Sequence, residues 1–438
     1  MRSKRPGPAE PGCPVFLISI DTLRPDHLRC YGYRRLSTPG VDHLAKDGIR
    51  FAAATAQAPS TLPSHASMLT SLYPAHHGAF YGRKTRCAPS LTTLAAVLAG
   101  GSYRTISYNG GAQIAPEFGL DAGFDRYVVV GEHHFSTTVD STLSWISRHG
   151  ADSTFFFLHT YEVHAPYNPR AGYLRKLDGR YRGALPGRIN KHLLADINEG
   201  RRSITDTDRR HIVAAYDAEI LSMDRALATF MDSLRTLGVY DRALIVFTSD
   251  HGEEFGEHGM MGWHGHTMYD ELLHVPLIVK LPRSAAAGRI VREQVRSIDI
   301  APTILDVAAL GIPDSFEGTT LIPLIRGGSS RNGREHARVS MAQKDRGPRG
   351  LMKSIRTADW KLALIEEAGQ VVRTELFHLR KDPREKENLA RDRPEVADSL
   401  GAIMLAMHAH RPVPEEHPAV LELETNLRLE ALGYVVNE

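Results

Sequence analysis

Short runs of consecutive apolar residues recur along this chain, and they predict buried β-strands. Because both faces of each run are apolar, the pattern is typical of strands that are covered by helices on both sides of a sheet. The predicted strands cover Val15–Ile20, 104–108, 154–159, Leu244–Thr248 and 275–280.

Stretches with helical periodicity lie between these runs. The longest, 208–237, has apolar residues three and four positions apart and is followed by Gly238, a common helix terminator. Another helix is predicted after Thr38, a capping residue that precedes Pro39, and a third over 90–98. This alternation predicts an α/β fold with a mainly parallel sheet and helices on both faces.

The chain has 438 residues, more than one core usually holds, so we expect two domains. Residues 1–12 are rich in Pro and Gly and predict a disordered lead-in. A large α/β domain at 13–326 is followed by a Gly- and Ser-rich linker and an α+β domain with a helical tail at 334–438. The segment 166–203 is interpreted as a long loop near the site, or a lid. The small domain's predicted elements are strands at 337–341, 352–356, 360–365 and 371–377 and a helix at 394–408.

Composition narrows the class of protein. The hydrophobic share of 42% and the charged share of 24% are ordinary for a globular chain, and the net charge of +2 does not favour a nucleic-acid partner. No stretch reaches the roughly 18 apolar residues of a membrane span, and no apolar segment of a secretory signal follows the N-terminus. We therefore expect a cytoplasmic protein without a membrane span. The oligomeric state is not indicated.

Polar side chains suited to metal binding follow three predicted strands. Asp21 follows the first, Asp250 and His251 follow the fourth, and His159 ends the third, with His164 shortly after it. Ligands of parallel sheets lie beyond the carboxyl ends of the strands, so we expect two carboxylates and a histidine to converge on one divalent cation. Taken singly, an aspartate after a strand is more often a helix cap.

A hydroxyl residue, Thr61, stands at the start of another predicted helix, in the run TLPSH at 61–65. A side-chain oxygen at a helix N-terminus lies beside free N–H groups and the positive end of the helix dipole, which favour a bound phosphate or sulfate. The alternative interpretation of the same run is a simple helix cap.

Several motifs together resemble those of sulfatases in the alkaline phosphatase superfamily. The run ISIDTLRPDHLRCYG at 18–32 looks like the N-terminal metal strand of that family. TLPSHASMLTSLYP at 61–74 is similar to its nucleophile motif, Cys/Ser-x-Pro-Ser-Arg followed by Leu-Thr-Gly. TSDHGEEFGEHG at 248–259 resembles its second metal motif, and DIAPTIL at 299–305 and ELFHL at 375–379 follow in the family's order. The resemblance covers nearly the whole chain.

The resemblance implies a function for residues in each motif. Asp21, Asp250 and His251 would bind the metal, and Thr61 would be both nucleophile and metal ligand.

Three further histidines receive roles from the same resemblance. His164 looks like the family histidine that contacts the ester anion. His266, or His264 in its place, lies where many sulfatases carry an anion-binding lysine. His65 replaces the motif arginine that steadies the nucleophile.

Two departures from the family pattern change the expected chemistry. Thr61 cannot become formylglycine, because its methyl group blocks formation of the aldehyde, so no formylglycine is expected. Thr22 replaces one of the family's paired aspartates, which leaves a site for one divalent metal ion. Calcium, which prefers many oxygen ligands, fits this site less well than manganese, magnesium or zinc.

The sequence therefore predicts a metal-dependent hydrolase of small anionic sulfate or phosphate esters that acts through a covalent intermediate on Thr61. The threonine favours phosphoester chemistry. Two alternatives stay open: a transferase that moves a phosphoryl-linked group to an alcohol, and a catalytically silent binding protein with the sulfatase fold.

Overall fold

The computed structural model describes residues 10–131, 133–328, 340–345, 350–412, 415–432 and 434. The strands are β1 Val15–Ile20, β2 Ile49–Thr55, β3 Thr85–Arg86, β4 Arg104–Asn109, β5 Arg126–Val129, β6 Thr154–Thr160, β7 Leu244–Thr248, β8 Glu254–Phe255, β9 Met261–Trp263, β10 His274–Lys280, β11 Ile290–Arg296, β12 Ser340–Asp345, β13 Leu351–Arg356, β14 Trp360–Glu367, β15 Gln370–His378 and β16 His417–Pro418. The helices are α1 Pro39–Asp47, α2 Thr61–Thr70, α3 Pro74–His77, α4 Leu94–Gly100, α5 Phe135–His149, α6 Ala171–Asp178, α7 Lys191–Asn198, α8 Asp206–Thr236, α9 Asp270–Leu273, α10 Ile300–Val307, α11 Ile322–Ile325, α12 Pro394–Ala409 and α13 Leu423–Ala431.

The large domain is built on an eight-stranded sheet with the order β11-β2-β10-β7-β1-β6-β4-β5. Neighbouring strands are parallel except where β10 pairs with β2 and β7. The predicted α/β fold with a mainly parallel sheet is therefore confirmed. The sequence did not indicate β2, β5 and β11, because these strands are partly exposed and have no long apolar run.

Two hydrophobic layers cover the two faces of this sheet. Alternate side chains of β1 point to opposite faces of the sheet. Phe16, Ile18 and Ile20 pack in the layer that contains α8. Val15 and Leu17 pack in the layer that contains α2 and α10. All six residues of β1 are buried. A strand covered on both faces favours apolar residues, and five of the six residues of β1 are apolar, which is why the sequence identified β1 so clearly.

Helix α8 confirms the predicted periodicity, whereas the segment before it corrects a prediction. The helix begins at a capping box in which Thr205 and Asp208 exchange hydrogen bonds, and its predicted apolar positions are buried. The segment 166–203 is not one long loop, since it contains α6 and α7. These helices have eight residues each, too few for helical periodicity to stand out in the sequence.

The start of α1 also differs from its sequence-based prediction. Thr38 holds the N-cap position, but its side chain makes no capping hydrogen bond. The carboxylate of Asp224, on α8, instead accepts hydrogen bonds from the N–H groups of Gly40 at 3.1 Å and Val41 at 2.8 Å. A residue far away in sequence thus satisfies the helix N-terminus, which no local pattern could indicate.

The C-terminal region forms a second, antiparallel sheet with the order β12-β13-β14-β15, against which α12 packs. Part of the predicted strand 337–341 and the linker lie outside the described residues, so the boundary between 13–326 and 334–438 stays a prediction. Residues 1–9 of the lead-in also lie outside them, whereas Glu10 and Gly12 hydrogen-bond to Val307 and Tyr103. Among the helices that the structure describes, none combines the length and apolarity needed to cross a bilayer.

We expect Asp224→Ala to lower the free energy of unfolding by about 2 kcal/mol, because two buried N–H groups of α1 would lose their acceptor. Asp232→Ala, on the exposed side of the same helix, is the matched control and should cost less than about 1 kcal/mol. Denaturant unfolding of both variants measures the difference. Equal losses would show that Asp224 does not cap α1.

Candidate active site

The carboxyl ends of β1 and β7 carry the acidic residues of the site. These strands are parallel neighbours, with Ser19 opposite Thr248, so Asp21 and Asp250 follow at the same edge of the sheet. Asp21, Asp250 and His251 are fully buried, and one potential ligand atom from each lies within 4.8 Å of the others. The three residues that the sequence proposed as metal ligands are thus brought together.

Two carboxylate oxygens in this cluster suit a cation. Oδ1 of Asp21 and Oδ2 of Asp250 are buried and have no hydrogen-bond partner among the described residues. Nδ1 of His251 donates to the carbonyl of Gly252 at 2.9 Å, which leaves the lone pair of Nε2 directed at the cluster, 3.4 Å from Asp250 Oδ2. Two carboxylates and an oriented imidazole match the donor set of a divalent cation.

The electrostatics of the two carboxylates follow from their closeness. Burial raises the pKa of Asp21 well above its usual value, and repulsion from Asp250 adds to the rise. Burial opposes ionisation of Asp250 too, but the imidazoles of His251 and His65 hold the pKa of Asp250 below its usual value. One carboxyl of the pair therefore holds a proton readily, and a bound cation would displace that proton.

Thr61 is the first residue of α2 and is fully buried. Its hydroxyl donates to Asp21 Oδ2 at 3.2 Å and lies 3.3 Å from Nε2 of His251. The N-cap position belongs to Ser60, whose side chain makes no capping hydrogen bond. The Thr61 oxygen therefore faces the acidic cluster instead of capping its own helix.

His65 holds the first turn of α2 against β1. Its Nδ1 donates to the carbonyl of Thr61 at 3.0 Å, and its Nε2 accepts from the hydroxyl of Ser19 at 2.9 Å. Burial lowers the pKa of His65, which agrees with a neutral ring that makes these two bonds. The imidazole thus fixes the backbone of Thr61, and its contacts are those of a positioning residue.

A second group of side chains lies beside Thr61 and the acidic cluster. The imidazole rings of His164 and His264 are 4.9 Å apart, and the ring of His264 is 4.5 Å from that of His251. His266 instead stacks on Trp263, with the ring centroids 5.6 Å apart. Of the two histidines that the sequence left open, His264 contacts His251 and His164, and the role of His266 stays a prediction.

The ε nitrogens of both histidines converge on the phenol oxygen of Tyr434. The distances are 3.2 Å for His164 and 3.0 Å for His264. Nδ1 of His164 donates to the carbonyl of Ala165, and Nδ1 of His264 lies 3.0 Å from Oε1 of Glu253. Each Nε2 therefore has its lone pair free to accept a proton when the ring is neutral.

Burial sets the protonation of this second group. It lowers the pKa of His164 to about 3, helped by the nearby ring of His264, and it lowers the pKa of His264 well below its usual value. Burial also raises the pKa of Tyr434 well above its usual value. The Asp21 carboxylate adds to that rise, and a hydrogen bond with Thr61 opposes it.

Two residues of the site were not singled out from the sequence. Glu253 lies within the second metal motif, and its place beside His264 depends on a contact with a later loop. Tyr434 stands close to the end of the chain, outside every motif. Nε2 of His159, a residue that the strand pattern did indicate, lies 3.4 Å from Asp21 Oδ2. Tyr434 left no signal in the sequence.

Comparisons with known proteins agree with this geometry. The family model described as "Sulfatase" matches residues 14–311, and that described as "N-sulphoglucosamine sulphohydrolase, C-terminal" matches 256–409. Arylsulfatase K of Rattus norvegicus is 26% identical over 276 residues, which are 62% of this chain and 44% of that protein. The chain thus spans less than half the length of that relative.

Two further similarities cover most of both chains. The multifunctional alkaline phosphatase superfamily protein PehA of Trinickia caryophylli is 24% identical over 476 residues, covering 86% of this chain and 91% of the relative. The crystal structure of the phosphonate monoester hydrolase of Agrobacterium radiobacter superposes with a TM-score of 0.75 at 22% identity, covering 91% of this chain and 96% of that one. The structural likeness confirms the fold.

The matched family model extends over more than half of the chain and includes Asp21, Thr61, Asp250 and His251. The motifs in the sequence and the arrangement of the strand ends lead to the same conclusion. The chain belongs to the sulfatase family of ester hydrolases, within the alkaline phosphatase superfamily.

Proposed function

We propose that this protein hydrolyses sulfate or phosphate esters with the help of one divalent metal ion and a nucleophilic Thr61. The observation that carries the proposal is the position of the Thr61 hydroxyl, 3.2 Å from Asp21 Oδ2 and 3.3 Å from His251 Nε2. An alcohol held in an acidic metal cluster at a helix N-terminus is suited to attack an anionic ester.

Asp21, Asp250, His251 and Thr61 would hold the metal. A divalent cation supplies Lewis acidity, which lowers the pKa of a nearby alcohol and offsets the charge of the ester anion. The unpartnered oxygens of Asp21 and Asp250 support this assignment. Two carboxylates, an imidazole and a hydroxyl fit manganese, magnesium or zinc better than calcium, which prefers six to eight oxygens.

The reaction proceeds in two displacements. The Thr61 hydroxyl gives its proton to Asp21 Oδ2, its oxygen attacks sulfur or phosphorus in line, the bond to the leaving alcohol breaks as that alcohol takes a proton from His264, and a covalent ester of Thr61 remains. Water then attacks the same atom, one proton of the water restores His264, and Asp21 returns its proton to the departing Thr61 oxygen. His65 contributes by fixing the carbonyl of Thr61, so that the hydroxyl keeps its direction during both steps.

The leaving alcohol needs a proton, and His264 is placed to give it. Oε1 of Glu253 lies 3.0 Å from Nδ1 of His264 and would stabilise the protonated ring, as the carboxylate of a catalytic triad does. The charge of a bound ester adds to this effect, so that substrate opposes the lowering of the His264 pKa by burial. His164 faces the same space and would bind the ester oxygens once its Nε2 is protonated, which the charge of the bound ester favours.

Phosphate and phosphonate esters fit the nucleophile better than sulfate esters. A threonine ester of phosphoric acid is opened by water at phosphorus, whereas the usual sulfatase route needs a formylglycine hydrate that expels sulfate. The relatives include a phosphonate monoester hydrolase as well as arylsulfatases by name. We therefore propose phosphoester chemistry as the preferred activity of this chain.

We expect divalent cations to stabilise the folded protein. A cation present at about 100 times its dissociation constant adds about 2.7 kcal/mol to the free energy of unfolding. Asp250→Asn should lose most of this gain, whereas Asp140→Asn, an exposed aspartate of α5, should keep it. Thermal unfolding of chelator-treated protein with manganese, magnesium, calcium or zinc measures the effect. A gain of equal size in Asp250→Asn would place the metal elsewhere.

Thr61→Ala should lower kcat by about three orders of magnitude or more, because the nucleophile is removed. Thr61→Ser retains an alcohol and is the matched control. The assay compares p-nitrophenyl sulfate, p-nitrophenyl phosphate, a phosphodiester and a phosphonate monoester with each metal. Retained turnover in Thr61→Ala at unchanged metal occupancy would disprove the nucleophile. Sulfate turnover far above phosphate turnover would disprove the phosphoester preference.

Glu253→Gln should lower kcat by about 100-fold for esters with basic leaving alcohols and much less for p-nitrophenyl esters, because only the former need a proton donor. Glu254→Gln is the control, since the carboxylate of Glu254 accepts a hydrogen bond from Thr267 instead of His264. The dependence of log kcat on the pKa of the leaving alcohol separates proton donation from general structural damage. The same slope in both variants would rule out the Glu253–His264 pair.

A further inference from the structure

The chain returns to the large domain after α12 and lies against the site. We call residues 415–432 with Tyr434 the C-terminal arm. Its strand β16, His417–Pro418, pairs with Thr85–Arg86, and the N–H of Ala419 donates to the carbonyl of Lys84 at 2.7 Å. The arm thus contacts the domain that carries Thr61, although it follows the small domain in sequence.

Two buried leucines and a small set of hydrogen bonds hold the helix of this arm, α13: the N–H of Glu422 donates to Glu117, and Lys191 donates to the carbonyl of Glu430. Leu429 and Leu432 are buried beside Ala112 and Tyr161. Thr425 donates a hydrogen bond to Glu117 Oε1 at 2.6 Å.

The outer side of the arm is in solvent, since Val420, Leu423 and Leu427 are 84%, 75% and 56% exposed. A short helix with little buried apolar surface opens at a low free-energy cost, well below that of global unfolding.

Tyr434, at the end of the arm, occupies the centre of the candidate site. Its phenol oxygen lies 3.0 Å from His264 Nε2 and 3.2 Å from His164 Nε2. Its ring packs edge-on against Tyr81, with centroids 5.4 Å apart.

These contacts use the groups that would hold the reacting ester. In-line attack requires the sulfur or phosphorus atom about 3–3.5 Å from the Thr61 oxygen, with the leaving oxygen beyond it. The phenol oxygen already contacts His264 and His164, so Tyr434 and an ester that uses these two side chains cannot bind together.

Building on the proposed function, we propose that the C-terminal arm is an autoinhibitory element, in which the Tyr434 phenol occupies the position of the substrate's leaving alcohol. The arm must withdraw before an ester binds, so it competes with substrate. If the arm is closed for about nine tenths of the time, the apparent dissociation constant for substrate rises about tenfold. A side chain tethered in the same chain competes at high effective concentration, which explains how a few contacts suffice.

The test measures binding of inorganic phosphate to the metal-loaded, full-length protein by calorimetry. Tyr434→Ala should bind phosphate at least fivefold more tightly than wild type, since the competitor is removed. Thr425→Ala should show a smaller gain, because it weakens the arm without touching the site. Leu423→Ala, an exposed residue of the same helix, is the control and should match wild type.

Kinetics with p-nitrophenyl phosphate provide the second readout. Tyr434→Ala and Thr425→Ala should lower KM with kcat unchanged, as expected for loss of a competitive inhibitor. A large fall of kcat in both Tyr434→Ala and Tyr434→Phe would overturn the proposal and make Tyr434 a catalytic residue. Equal phosphate affinity in all four proteins would also overturn it while leaving the proposed function intact. Failure of every variant to bind phosphate would instead overturn the proposed function.

Discussion

Repulsion between two buried carboxylates, Asp21 and Asp250, is the interaction on which the rest of this site depends. Their strands are parallel neighbours, so the chain direction alone brings the two acids to one edge of the sheet. Each leaves one oxygen without a hydrogen-bond partner among the described residues, an arrangement that is costly unless a proton or a cation compensates it. The fold thus holds two acids so close that a proton or a divalent metal must offset their repulsion.

The residues around this pair mainly orient the side chains of the site and add little charge. His251 is oriented through the carbonyl of Gly252, and Thr61 is oriented through His65 and the first turn of α2. The Ser19–His65 hydrogen bond joins β1 to α2, and the Thr61–Asp21 hydrogen bond joins α2 to the end of β1. The site is therefore rigid at its metal side, as a pre-organised nucleophile requires.

The opposite side of the site is built from less regular structure. His164, Glu253 and His264 lie on segments after strand ends, and Tyr434 comes from an arm with an exposed outer side. One half of the site is rigid, and the other half includes the weakly held C-terminal arm. Movement of this arm would regulate the binding of substrate. Access to Thr61 depends on the arm, whereas the geometry of Thr61 depends on the sheet.

The sequence by itself determined the family, the mainly parallel sheet and the candidate ligands Asp21, Asp250 and His251, because continuous apolar runs and the residues that follow them are local features. It did not reveal the exposed edge strands, the short helices α6 and α7, or the capping of α1 by Asp224, because these depend on partial burial or on distant residues. The contact of His264 with His251 and the approach of Tyr434 to His164 and His264 were decided only by tertiary structure. Both depend on how loops and the C-terminal arm pack, and no period or spacing along the chain encodes that contact.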